Sequence, residues 1–341
     1  MVVLPANKWR ALGMAMMVKA GVSKEDAKTI TDILVTGSLA GIDSHGVRNF
    51  PVFSRKSKRN IKVIRDRAAT ALLDPGETPG PVYATYAMQK AIAKAKKYGV
   101  GVVSVTGGDW VTNLFCYVLM AARSDMIGYA FVRTGPAGAP WGGTKAVFGT
   151  NPIGVAFPAG RTDPIVLDFA TTIVSQGQTR SFSLKGLPMP AGWFIDGEGN
   201  PMGEQYVKPE DWEKFVTEHP LLPFGTYKGY GIGVTVELMA GALNLVGTGS
   251  NSKANNGLTT IAIDVGSFVS IKDFKKEVDR YTKEVTSVPP RKGFDEVLLP
   301  GGREFKIMKE RKKNGIPVDE TSWKDISEKC RELGVDLKKY T

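Results

Sequence analysis

The chain has 341 residues and a mass of 36.8 kDa, which is length for two domains, or for one large domain with excursions and a sizeable core. At 42% hydrophobic and 23% charged residues, its composition excludes disordered and fibrous classes. The formal net charge of +11 favours anionic partners, while two cysteines, Cys116 and Cys330, are too few for a disulfide framework or a cysteine zinc site and fit a reducing cytoplasm.

Glycine is the one compositional departure, at 39 residues against an average share of roughly 7%, and it raises the expectation of a nucleotide site. No charged leader followed by an apolar stretch opens the chain, so no signal peptide is expected. The longest apolar run, 231–246, is interrupted by Glu237 and Asn244 and falls short of the ~20 residues a membrane span needs.

Ser23 with Asp26 three residues later is a capping-box pattern, and it predicts a helix through Ala27, Ile30, Ile33 and Leu34 that Gly37 and Gly41 close. The basic run Arg55, Lys56, Lys58, Arg59, Lys62, Arg65, Arg67 has no interleaved aromatics, so it reads as a solvated connecting face rather than a nucleic-acid patch. Residues 83–98 repeat the helical spacing, Gly99 supplies the cap, and 100–105 form a buried strand. Short apolar strands are predicted at 126–132, 152–157 and 164–167. Between 182 and 224 lies a loop-rich excursion with turn chemistry, long enough for an active-site lid or wall. A helix over 229–246 and a strand over 258–265 follow. At the end, Ser322 and Asp325 cap a last helix with Trp323, Ile326, Cys330 and Leu333 on one face. Helical ends flank a β-rich middle.

A Rossmann fingerprint is absent. The nearest match, 229–233, has the wrong spacing, and no phosphate-binding Gly-x-x-x-x-Gly-Lys-Ser/Thr loop occurs. His45 and His219 are the only histidines, which excludes a multi-histidine metal site. His45 lies in Gly-Ile-Asp-Ser-His-Gly-Val (41–47), where it could exchange a proton near neutral pH or merely bond the last carbonyls of the preceding helix. His219 reads as surface. Asp168, Thr171 and Thr172 follow an apolar run, at a strand edge of the kind where α/β sheets bind ligands. Lys228 opens a helix, whose free amides attract phosphate. Asp168 as a cap, Asn151 as a turn residue and Lys228 as a solvated end remain the plain alternatives.

Six motifs occur in a fixed order: 41–47, Ala-Pro-Trp-Gly-Gly (139–143), Phe-Gly-Thr-Asn-Pro (148–152), Asp-Phe-Ala-Thr-Thr (168–172), Tyr-Lys-Gly-Tyr-Gly (227–231) and Leu-Pro-Gly-Gly-Arg-Glu (299–304). In these the chain resembles the type-2 malate/L-lactate dehydrogenase family, which includes ureidoglycolate, sulfolactate and diketogulonate oxidoreductases and cyclic-imine reductases. The resemblance implies a non-Rossmann α/β fold with a β-rich NAD(P)-binding part over 126–257, an α/β part over 61–125 and 258–299, and a helical part over 1–60 packing with 300–341. It also implies a homodimer using NADH or NADPH; the cytoplasmic location, the lack of a membrane partner and the low expectation of a nucleic-acid partner come from the composition and charge pattern above.

By the same resemblance, His45 matches the proton donor, with Ser44 beside it. Asn151, Asp168, Phe169, Ala170, Thr171, Thr172, Ile173, Val174, Tyr227, Lys228, Gly301 and Gly302 match cofactor contacts, and Arg48, Asn49 and Trp141 fall on the substrate side. Several positions depart. The family's arginine and tyrosine are Asn49 and Phe53 here, with Arg48 one residue early and on a helix turned ~100° away. A second family histidine is replaced within Gly107-Gly108-Asp109-Trp110, so either Asp109 substitutes or that role is gone. Thr144-Lys145 also differs from the commoner pattern. The expected activity is hydride transfer to a C=O or C=N carbon next to a carboxylate-like group, either a 2-oxo acid or a cyclic imine, with no metal. A catalytically silent nucleotide- or anion-binding member is the alternative.

Overall fold

A computed structural model describes residues 1–252 and 256–341. Strand β1 (Val2–Leu4) leads into α1 (Ala6–Lys19), which buries Trp9, Leu12, Met16 and Met17. Ser23 then caps α2 (Lys24–Leu39) by accepting the Asp26 amide at 3.1 Å, as its spacing predicts. Two single-turn 3-10 segments, 43–45 and 47–49, join α2 to α3 (Phe50–Phe53). After β2 (Lys62–Asp66) and β3 (Thr70–Asp74) comes α4 (Gly80–Tyr98), stopped by Gly99 at φ +81°, a conformation glycine adopts without cost.

The middle of the chain is β4 (Val100–Val105), α5 (Phe115–Ala122), β5 (Met126–Arg133), β6 (Ile153–Phe157), β7 (Ile165–Phe169), α6 (Gln176–Leu184), α7 (Trp212–Glu218) and α8 (Tyr227–Glu237). It closes with β8 (Gly257–Asp264), α9 (Ile271–Thr286), α10 (Gly302–Asn314), β9 (Ile316–Val318) and α11 (Glu320–Leu333).

Seven strands form one sheet in the order β2-β3-β4-β8-β5-β6-β7, and only the β3–β4 pair is parallel. This is not the parallel doubly wound sheet of a Rossmann fold. The late strand β8 is the joint, because it inserts between β4 and β5 and so makes one sheet of the segments 61–125 and 126–257. Its buried Thr259 and Thr260 are satisfied there. Thr259 shares a 2.8 Å hydrogen bond with Ser104, and Thr260 donates to the Val103 carbonyl at 3.3 Å.

The main core joins α1, α2, α4 and α5 to the sheet and to α10 and α11. Strands β1 and β9 pair antiparallel, Trp9 donates its indole N–H to the Ile316 carbonyl at 3.2 Å, and its ring meets Trp323 edge-on. The two chain ends are thereby packed together. The 182–224 excursion has a small core of its own, with Met189, Phe194 and Leu221 buried beside Ala137 and Val174. In the basic run, Arg59 pairs with Glu25 and Asp26 and Arg55 pairs with Asp109, while β2 is an exposed edge strand. Among the described residues no helix is long and apolar enough to cross a membrane.

Two element readings are corrected. The helix expected over 229–246 ends its regular part at Glu237, and one π-turn, Leu238–Ala242, follows with Leu243 N–H donating to the Leu238 carbonyl at 3.0 Å. The wider turn comes where the buried Glu237 is held by Arg133 at 3.1 Å, by Asn151 at 2.6 Å and by the Gly249 amide at 2.9 Å. The last helix is capped by Asp319 rather than Ser322, because the aspartate accepts the Ser322 amide at 2.9 Å and the Ser322 hydroxyl at 2.8 Å.

Candidate active site

At the end of α2, Gly41 turns left-handed at φ +78°, and a side chain there would press Ile307 of α10, so α2 and α10 approach closely. Arg311 of α10 grips the Asp43 carboxylate with both guanidinium arms, at 2.5 and 2.9 Å, and also donates to the Ser38 carbonyl. The turn carrying His45 is pinned on its other side too. The Asn49 side chain donates to the Ser44 and Gly46 carbonyls at 3.1 Å each, and the Ser38 hydroxyl accepts the Val47 amide at 2.9 Å.

Within that turn, His45 Nδ1 shares a 2.7 Å hydrogen bond with Ser44 Oγ, which fixes the ring and leaves Nε2 for chemistry. Gly177 in the first turn of α6 closes over the ring, since a Cβ there would lie 3.2 Å from His45 Cε1. Burial, with the Arg48 charge adding to it, pushes the imidazole down to about 4. The expectation of a histidine titrating near neutrality is thereby corrected. At pH 7 this imidazole is uncharged, a base rather than an acid.

His45 faces a cavity of about 1070 Å³, which the 44–48 turn shares with the strip from Val166 to Ser175, one face of α6 and the start of α10. That is the upper end of the roughly 300–1,000 Å³ of small-molecule sites, with room for more than a small acid. Along the strip, Asp168 Oδ2 accepts the Leu114 and Phe115 amides at 2.9 and 2.8 Å, where an anion steadies the start of α5. Burial outweighs those two bonds, and with Glu304 nearby the carboxyl rises to about 6. At the far wall, Gly301 is the residue that precedes α10, left-handed at φ +86°, and a Cβ there would sit 2.9 Å from the Val166 carbonyl oxygen. First-turn amides and the Arg303 side chain together suit a phosphate, and Asp168 suits ribose hydroxyls, so these walls have donors and acceptors that fit a dinucleotide.

Ser44, His45, Arg48, Asp168, Phe169, Ala170, Thr172, Ile173, Val174 and Gly301 all line this cavity. Arg48 points into it with no hydrogen bond or ion pair among the described residues, while its neighbour Asn49 folds back onto the backbone. Because 47–49 is a 3-10 turn rather than a continuing helix, the early arginine reaches the histidine's cavity after all.

Other candidates lie apart. Asn151 is fully buried, accepting the Thr134 amide at 3.0 Å and donating to Glu237 and the Gly233 carbonyl, and Thr171 donates to the Thr150 carbonyl at 3.1 Å. Gly302 follows Gly301 but does not border the cavity. Tyr227 and Lys228 stand at the exposed start of α8, and Trp141 is 51% exposed. Asp109 is paired with Arg55 at 2.6 Å outside the cavity walls. Sequence reasoning missed Gly177 and Arg303, and it looked to Asp109 where Trp110 is the residue touching His45, at 5.2 Å between ring centroids.

A half-buried histidine thus faces a cavity large enough for a dinucleotide, on a sheet without Rossmann topology. The chain belongs to the malate/L-lactate dehydrogenase family, whose profile matches residues 4–327. It is 33% identical to an L-sulfolactate dehydrogenase of Methanocaldococcus jannaschii, over 100% of this chain and 99% of that protein. It is also 33% identical to a malate/(S)-sulfolactate dehydrogenase of Methanothermus fervidus, over 99% of each. The solved sulfolactate dehydrogenase from Methanocaldococcus jannaschii superimposes with a TM-score of 0.87 at 32% identity, over 99% of each chain. The protein is therefore an oxidoreductase of the pyridine-nucleotide-dependent kind.

Proposed function

We propose that the protein interconverts a 2-hydroxy acid and its 2-oxo acid, with His45 moving the proton and Arg48 holding the carboxylate. The observation that carries this reading is the pair itself, an imidazole and a guanidinium on one cavity wall, the guanidinium without a hydrogen bond or ion pair among the described residues and close enough to Asp319 to lower its carboxyl. When bound, NAD(P) accepts or returns the hydride at its nicotinamide ring. Everything else falls to the chain. Arg48 orients the substrate by charge-assisted hydrogen bonds. His45 Nε2 takes the hydroxyl proton as the alcohol is oxidised and gives it back in reduction, while Ser44 keeps the ring turned. Asp168, Phe169, Ala170, Thr172, Ile173, Val174 and Gly301 are the proposed cofactor contacts, with Tyr227 and Lys228 joining them only if the ligand reaches past the cavity.

A C=N substrate is the second reading, favoured by one observation. An iminium arrives already protonated, so it asks less than a carbonyl does of a histidine pushed down to about 4. Calorimetry with NADH and NADPH, followed by absorbance assays on 2-hydroxy acids, 2-oxo acids and cyclic imines, tests both. Saturable binding of one nucleotide tighter than about 1 mM, roughly −4 kcal/mol, with turnover of a 2-hydroxy or 2-oxo acid is expected. Binding of neither nucleotide refutes the reading.

A further inference from the structure

Helix α10 touches both ends of the proposed reaction. Gly301, just before its first residue, and Arg303 in its first turn line the wall that suits nucleotide phosphate. Arg311, about two turns further on, forks onto Asp43 at 2.5 and 2.9 Å, two residues before His45. The axial distance from Arg303 to Arg311 is about 12 Å. Over that length the helix is anchored. Phe305 and Met308 are buried, the Phe305 ring meets Phe115 at 5.6 Å, and Ile307 fills the space that a Cβ on Gly41 would take. Phe115 in turn gives its amide to Asp168 on the cavity strip.

Arg311 does not line the cavity, whereas Ser38, Asp43, Ser44 and His45 do. The same guanidinium donates to the Ser38 carbonyl at 2.5 Å, and the Ser38 hydroxyl accepts the Val47 amide at 2.9 Å. A Cβ on Gly46 would lie 2.0 Å from that hydroxyl, so the turn rests directly on Ser38. Arg311 therefore holds the histidine's turn at Asp43 and at the residue on which the turn rests. The His45 ring is bonded to Ser44, its neighbour on the same turn, so the ring goes where this backbone goes. As a source of stability the fork is weak, because the Asp43 side chain is 50% exposed and exposed pairs contribute little. As a geometric constraint it is strong, since a guanidinium on both carboxylate oxygens admits one relative orientation.

Building on the proton role of His45 in the hydroxy-acid reading, we propose that Arg311 is a positioning residue, whose fork on Asp43 holds the His45 turn in register with the nucleotide wall that the same helix carries. One readout needs no substrate, because His45 and His219 are the only histidines. With 15N-labelled histidine at pH 8, the two ring nitrogens of His45 should have the well-separated shifts of one tautomer in the wild type. In Arg311→Met they should move toward each other as the ring loses its fixed orientation, while those of His219 stay in place. With lactate or malate, whichever is oxidised faster, Arg311→Met should lower kcat by roughly 10- to 100-fold, the scale of a 1 Å misplacement. KM and nucleotide affinity should stay within about threefold, as for an interaction made in the transition state alone. Arg311→Lys, which keeps the charge without the fork, should recover part of the loss. Asp43→Asn should also lower kcat, and the double variant should be no worse than the poorer single one. Additive losses, a raised KM at unchanged kcat, or an Arg311→Met protein with wild-type kcat and unmoved His45 resonances overturns the fork and leaves the proton role of His45 standing. If Arg311→Met does not fold, Asp43→Asn, which leaves Arg311 on Ser38, decides by the same two measurements. A protein that binds nucleotide but turns over neither acid counts against the hydroxy-acid reading, and the histidine resonances then decide the fork without it.

Discussion

At His45 the environment decides which half of the reaction the residue is ready for. Its imidazole is lowered from 6.5 to about 4, first by burial and then by Arg48, so above pH 6.5 neither folded nor unfolded chain is protonated there. Between pH 6.5 and 4 the unfolded state takes a proton that the native state refuses, and this site should cost stability at up to about 1.4 kcal/mol per pH unit as the pH falls. Asp168, whose carboxyl is raised to about 6, adds stability over nearly the same range as the pH falls, so the decline should appear as the difference between wild type and His45→Asn in chemical denaturation. In catalysis, the acid limb of kcat/KM for alcohol oxidation should lie well below pH 6, because that parameter reports the free enzyme. A limb centred near 6.5 would refute the buried-base assignment. His45→Asn itself should cut turnover by roughly 10²–10⁴-fold while nucleotide affinity stays within about threefold. Arg48→Ala should instead raise KM for a 2-hydroxy acid by about 10- to 100-fold, from a charge-assisted bond worth roughly 1.5–3 kcal/mol. The sequence could name His45 because the glycines on either side of its polar turn are visible in one dimension. It could not show that Asn49 folds onto the backbone and leaves the cavity to Arg48, since that depends on a 3-10 turn whose partners, Ser44 and Gly46, are fixed by tertiary contact.

At the scale of elements, the same division holds between signals carried by neighbours in sequence and signals carried across the fold. Ser23 and Gly99 end their helices with local bonds, and both were legible. Helix α1 was not, because Pro5 offers no side-chain cap and its buried Trp9, Leu12, Met16 and Met17 stand out only once β9 and α11 cover them. Nor could periodicity show the π-turn after Glu237, which follows where Arg133, Asn151 and Gly249 hold that carboxylate. The junction of α10 with β7 makes a sharper test. Gly301 sits at φ +86° with the Val166 carbonyl 2.9 Å from where a Cβ would be, so Gly301→Ala meets both backbone strain and a clash. It should lose about 1–3 kcal/mol of stability in urea. If α10 supplies phosphate contacts, it should also weaken nucleotide binding measurably by calorimetry, whereas Gly142→Ala, left-handed but with open space around its Cβ, should leave that affinity unchanged.

For the molecule as a whole, the β-rich middle between helical ends was readable, but the insertion of β8 between β4 and β5 was not, because strand order across long connections has no local signature. What the complete fold leaves uncovered is informative. Around the π-turn that follows α8, Leu238 and Leu243 are each 53% exposed and Leu245 is 69% exposed, the last in a left-handed conformation at φ +64° that a leucine seldom adopts. Neighbouring exposed leucines in so short a stretch are more than the scattered apolar surface of a monomer, and a strained one is held there by its surroundings. Covering them with the same surface of a second copy would require a two-fold interface, which matches the homodimer expected from the family resemblance. Sedimentation equilibrium at micromolar concentration should therefore give about twice the 36.8 kDa of the chain. Leu243→Glu with Leu245→Glu should shift that equilibrium toward the single chain without lowering the helical content. A wild-type protein that sediments as one chain would remove the dimer, and would leave these leucines as an exposed patch needing another explanation.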